Sequence, residues 1–153
     1  MKRILLILGT LFLTACGTNA EAEPDYPKEK ISREETFNYL EELLDPYADL
    51  TEVETEEEAI ETIEKIGETA QEVTRELKRD YEKDIHAVTS LLRLSEKLEE
   101  LAQDVEDGNL HLMGAYGQDI GKHIRNVAVE HLDGDLPEKY GETVGADNIY
   151  DLE

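Results

Sequence analysis

Apolar residues recur through the middle of this chain at alternating steps of four and three. Positions 59, 63, 66, 70, 73 and 77 are Ala, Ile, Ile, Ala, Val and Leu, and positions 87, 91, 94, 98, 101 and 105 are Ala, Leu, Leu, Leu, Leu and Val. This is heptad spacing, which lays a continuous apolar stripe along one side of a helix. Continued in phase, the first run reaches Asp80 and Asp84, where the stripe fails twice in succession. Two folds satisfy the pattern. One is a single helix of roughly 50 residues and ~75 Å, bent near Asp80. The other is a hairpin turning within residues 78–84. Lys78 and Arg79 suit a helix C-terminus, and Asp80 or Asp84 suits the next N-cap. No Gly or Pro lies between Glu68 and Asp107 to force the turn. A lone helix of that length needs a partner along its whole stripe, so the hairpin is the favoured expectation.

The flanks add helices. Ser32 with Glu35, and Thr55 with Glu58, have capping-box spacing, and Glu56, Glu57 and Glu58 favour a helix start. Phe37, Leu40, Leu43 and Leu44 give the first of these helices an apolar face, and Asp45-Pro46 is expected to stop it. Asp107-Gly108-Asn109 reads as a stop and restart, with Asn109 as the next cap. Leu110, Met113, Ile120, Ile124, Val127 and Ala128 then mark a helix to about Leu132. Gly114, Gly117 and Gly121 each cost it roughly 1 kcal/mol against Ala, and close approach of a neighbouring helix is the expected compensation. Asp133-Gly134-Asp135-Leu136-Pro137 ends that helix. The expected fold is all-α, a small antiparallel bundle of three longer helices plus a short N-terminal one. It occupies residues 32–133 and is followed by a loop-rich acidic tail, 134–153. In that tail Ile149, Tyr150 and Leu152 could dock on the bundle, fray, or present a partner-binding peptide.

The N-terminus carries a different signal. Lys2 and Arg3 precede an apolar stretch over residues 4–13, which is too short to span a ~30 Å bilayer core and has the form of a signal-peptide core. It ends in Leu13-Thr14-Ala15-Cys16, which resembles the lipobox of bacterial lipoproteins. The resemblance covers residues 1–17. It implies a signal peptide over 1–15, cleavage between Ala15 and Cys16, and diacylglyceryl or palmitate-type acylation of the Cys16 thiol. Residues 16–31, with Pro24 and Pro27, would then be a lipidated flexible tether, of which residues 17–31 reach at most ~50 Å. Two acyl chains hold a protein firmly where one does not. The implied location is the extracytoplasmic face of a cell membrane, of Gram-positive type given the plain lipobox and the absence of a second cysteine.

Charge narrows the partners. The chain carries 38 Asp and Glu against 15 Lys and Arg, a formal −23. Without residues 1–15 the count is 38 against 13, or −25. Such a body does not bind nucleic acid through phosphates and is repelled by anionic lipid. Basic or membrane proteins and divalent ions are the favoured company. With no Trp, two Phe and seven Tyr, the chain offers little for sugar stacking. Its single cysteine excludes an intrachain disulfide.

Reactive groups are sparse. His111, His123 and His131 share a segment with Asp119, Asp133 and Asp135, and Asp119 with His123 is the one pair on a single helical face that could share a metal. No diagnostic ligand spacing accompanies it. Asp133-Gly134-Asp135 with Glu138 lacks the order of a calcium loop. His86 and Ser90 are four apart, without a third group to complete a nucleophile. Residues 52–64 hold seven Glu and no Lys or Arg, the pattern of a solvated helix face or a docking surface for a basic partner. The expected function is therefore a non-enzymatic interaction or accessory lipoprotein acting through helix–helix contacts, with no cofactor. The alternative is a small binding lipoprotein for a cationic ligand or divalent metal.

Overall fold

The computed structural model describes residues 30–82, 85–109 and 113–152. Among the described residues, five helices run in order: α1 (Arg33–Asp49), α2 (Glu56–Asp80), α3 (His86–Glu106), α4 (Met113–His131) and the short α5 (Glu138–Val144), followed by a 3-10 turn (Ile149–Leu152). The architecture is an all-α antiparallel bundle, with α2 and α3 as its central pair. Residues 1–29, with the expected cleavage position, Cys16 and the expected tether, together with Asp84, Leu110 and His111, lie outside the described residues.

The heptad stripe builds the core. Ile63, Ile66, Ala70, Val73 and Leu77 on α2, and Leu91, Leu94 and Leu98 on α3, are fully buried. The chain turns between Asp80 and His86, so the long-helix alternative is not the one adopted. Tyr81 is the C-cap of α2, and Lys78 and Arg79 lie in its last turn. Asp80 ends α2 rather than capping α3, whose N-cap is Ile85 with no side-chain hydrogen bond. The turn therefore forms without Gly, Pro or an Asp80 cap. Tyr81 supports it instead: its ring is buried in the core and its hydroxyl donates to Glu35 Oε1 at 3.0 Å.

The two helices pack closely at Gly67, where an added Cβ would lie 2.5 Å from Ala102 Cβ. Further along the same seam, buried Ser95 donates to the Ala70 carbonyl at 2.6 Å, and its hydroxyl lies 2.7 Å from that of Thr74.

Both capping boxes form, at Ser32/Glu35 and Thr55/Glu58. Pro46, however, does not stop α1, which runs on to Asp49. A proline inside a helix removes one backbone hydrogen bond and crowds the preceding turn, at ~3 kcal/mol or more. Here Pro46 and Ala48 are buried, and Tyr47 packs against Tyr140 of α5 with ring centroids 6.5 Å apart. Tertiary packing holds the turn that the local sequence opposes.

Gly108, at φ 83°, closes α3 as foreseen. Asn109 serves that same ending: its N–H donates to the Asp104 carbonyl and that of Gly108 to Val105. It does not cap α4, which begins four residues later at Met113. Gly114, Gly117 and Gly121 also depart from expectation. A Cβ at any of them would meet nothing within 4 Å, so no neighbouring helix approaches there. The close approach belongs to Gly67.

Beyond residue 133 the chain is less loop-rich than its composition suggests. It forms α5 and the 3-10 turn, and Leu136, Ala146 and Ile149 are buried. Of the three possibilities for Ile149, docking is the one adopted, and the helical body extends to Leu152 instead of ending at 133. The segment is pinned at its start. Arg33 donates to the Leu132 carbonyl at 2.9 Å and to Asp135 at 2.6 Å, and pairs with Asp133 at 3.6 Å.

Candidate functional site

Among the described residues, the histidines singled out in the sequence are not brought together with the acids into one cluster. Asp119 Oδ1 accepts from Lys122 Nζ at 2.8 Å, and that contact holds its carboxyl below the ordinary value. Partial burial, then the charges of Lys97 and Arg93, push His123 down against the opposing pull of Asp119. Among the described residues no group of three His, Cys, Asp or Glu side chains could hold a metal ion.

Ser90 does find a histidine, but from another helix: His131 Nε2 of α4 lies 3.3 Å from its Oγ. The spacing from His86 did not signal this, because the contact depends on how α3 and α4 pair. Glu130 lies 3.7 Å from the same ring nitrogen, where it cannot orient the imidazole as the third member of a triad would, through the other nitrogen. Burial lowers the pKa of His131. At Asp133 and Asp135 the space between the carboxylates is served by Arg33 and by the Asn148 amide, which donates to Asp135 Oδ1 at 3.3 Å. These acids clasp α1 to the C-terminal segment.

What the fold does assemble is acidic surface. Beside the Gly67–Ala102 contact, a groove between α2 and α3 is lined by Glu64, Glu68, Glu99 and Glu106, with Gln71 and Gln103 completing its walls. Its floor is low because Gly67 has no side chain. One wall is fixed, since Glu99 accepts from the Thr74 hydroxyl at 2.7 Å. A second concavity at the start of α2 is lined by Asp49, Glu52, Glu54, Glu58 and Glu61. Part of this run has structural duties. Glu58 accepts from the N–H groups of Glu54 and Thr55, which lowers its pKa, and Asp49 pairs with Lys139 at 2.5 Å. Among the described residues, no Lys or Arg lines either surface.

Sequence reading located the acidic run at 52–64 but not the groove. The groove takes one wall from α2 and the other from α3, and its only local signal is a glycine inside an otherwise strong helix. The bundle spends its heptad stripe internally. Among the described residues, the large apolar side chains left exposed are Tyr150 and Leu152 in the terminal 3-10 turn.

Fold and surface together define an acidic α-helical bundle domain. In comparisons of sequence and structure the chain matches no protein-family model, no curated protein and no solved structure.

Proposed function

We propose that this chain is a lipid-anchored, extracytoplasmic lipoprotein that acts as a non-enzymatic interaction protein, meeting a basic partner through its acidic α2–α3 face. The anchor rests on the lipobox-like Leu13-Thr14-Ala15-Cys16. The mode of contact rests on one observation: the heptad stripe is buried between α2 and α3, while the groove beside it is lined by four glutamates and two glutamines, with no Lys or Arg among the described residues that line it. A helix–helix contact through the stripe would require the bundle to open. A contact through charge does not.

Two experiments test the reading. Mass spectrometry of the mature protein should find a diacylglyceryl group on an N-terminal Cys16, and Cys16→Ser should abolish acylation and leave the leader uncut; a Cys16→Ser variant that is cleaved and membrane-retained like the parent refutes the anchor. Photo-crosslinking from Gln103 in intact cells should trap a defined basic protein, and Glu64→Lys with Glu68→Lys should lose that adduct. An adduct indifferent to the reversal refutes the contact surface. The second reading, capture of a small cationic ligand, uses the same groove. It predicts a polyamine-induced rise in melting temperature beyond that of equal ionic strength, again lost in the reversed variant.

A further inference from the structure

The charge of this bundle is distributed unevenly along its length. At one end the contacts of Arg33 with Leu132, Tyr81 with Glu35 and His131 with Ser90 bring together the start of α1, the end of α2, the start of α3 and the end of α4. The chain enters the body here, at Lys30 and Ser32. At the other end, Lys65 pairs with Asp49, Gly67 meets Ala102, and Tyr116 donates to Asp104. These contacts join the end of α1, the start of α2, the end of α3 and the start of α4.

The far end is overwhelmingly acidic. Residues 42–68 and 97–107 hold sixteen carboxylates against Lys65 and Lys97, a formal −14, and α5, paired to this end through Lys139 and Asp49, adds Glu138 and Glu142 against Lys139. The entry end is much less acidic. Residues 30–41, 69–82, 85–96 and 125–135 hold eleven carboxylates against seven Lys and Arg, a formal −4, and Asp147 and Asp151, in the segment docked beside Gly134 and Leu136, bring it to −6. Arg75, Lys78 and Arg79 bring cations to the end of α2, and Arg33 pairs with Asp133 and Asp135. α4 contributes nothing to the imbalance, with Asp119 and Glu130 set against Lys122 and Arg125.

We infer that, held by its lipid, the domain stands on an anionic bilayer with the α2–α3 turn and the start of α1 toward the lipid and the acidic end outward. The inference rests on the anchor proposed above. Its physical basis is a comparison of lengths. The 25 residues of α2 span ~37 Å, whereas the field of a charged surface decays over ~8 Å at physiological salt. Standing, the bundle keeps its sixteen far carboxylates roughly two decay lengths or more from the lipid and leaves only the less acidic end within the field. Lying flat, it would bring those carboxylates into a surface potential of about −30 mV, where each negative charge is disfavoured roughly threefold. The same orientation turns the acidic groove away from the membrane, toward a partner.

The test uses the lipidated full chain in vesicles, with a donor dye at His86→Cys or at Gln103→Cys. Both sites are exposed on α3 and lie ~25 Å apart along it. Energy transfer to headgroup-labelled acceptor lipid should be severalfold greater from position 86 than from 103 in phosphatidylglycerol-containing vesicles. The difference should shrink in pure phosphatidylcholine, in ~1 M salt where the decay length is ~3 Å, and in the triple variant Arg75→Glu, Lys78→Glu, Arg79→Glu. Equal transfer from the two sites on phosphatidylglycerol vesicles, with acylated Cys16 verified by mass spectrometry, overturns the orientation and leaves the anchor standing. Protein recovered unacylated in the supernatant overturns both.

Discussion

Gly67→Ala puts the α2–α3 seam to a direct test. The new methyl carbon would lie 2.5 Å from Ala102 Cβ, about 1 Å inside ordinary van der Waals contact. Neither methyl can rotate away, because each Cβ is fixed to its own backbone. The helices must separate or shear at a point flanked by Ile63, Ile66, Leu98 and Leu101, all buried. Overpacking of a tight core typically costs 1–3 kcal/mol. Against it stands the helix-propensity gain of replacing Gly by Ala, up to ~1 kcal/mol. The net expectation is destabilisation of about 1–2 kcal/mol, a fall in melting temperature of very roughly 3–10 °C for a body of this size. Urea denaturation followed by circular dichroism measures it.

Two companions make the result diagnostic. Adding Ala102→Gly to Gly67→Ala moves the methyl to the other helix and should recover most of the loss, a coupling that independent sites would not show. Gly117→Ala makes the same chemical change where no atom lies within 4 Å, and should stabilise by up to ~1 kcal/mol. If Gly67→Ala is neutral or stabilising, the close approach of α2 and α3, and with it the low floor of the groove, is wrong.

Leu98→Ala, at a fully buried heptad position, should cost about 2–5 kcal/mol in the same denaturation assay. Arg33→Ala should cost only about 1 kcal/mol, because its ion pairs are half-exposed and screened; amide exchange should quicken selectively at Leu136 and Ile149, beside the clasp it breaks. Burial lowers the pKa of His131 in the folded state, so the unfolded chain binds its proton first. The contribution of neutral His131 is therefore present above the ordinary histidine value near 6.5 and is lost as pH falls through the folded value. Melting temperature measured from pH 7.5 to 5 should fall less steeply in His131→Gln than in the parent protein.

Period and punctuation belong to the chain itself. Steps of four and three from residue 59 to 105 dictate helix and mark the buried face, because a helical repeat of 3.6 residues returns those side chains to one side whatever lies opposite. Ser32 with Glu35, Thr55 with Glu58, and Gly108 past the end of α3 define helix ends by bonds reaching only three to five residues, so they too could be read in advance. Features that join distant residues could not. Pro46 remains helical because Pro46 and Ala48 are buried and Tyr47 meets α5. Ser90 meets His131 across 41 residues rather than His86 across four. Gly67, not the glycines of α4, marks the close approach, since a glycine's sequence neighbours do not say which helix will face it. The acidic run was visible along one helix, while the groove and the contrast between the two ends of the bundle arise only when antiparallel packing sets the end of α3 beside the start of α2. Local hydrogen bonding and periodicity fixed where the helices lie along the chain, and tertiary packing decided which side chains share a surface.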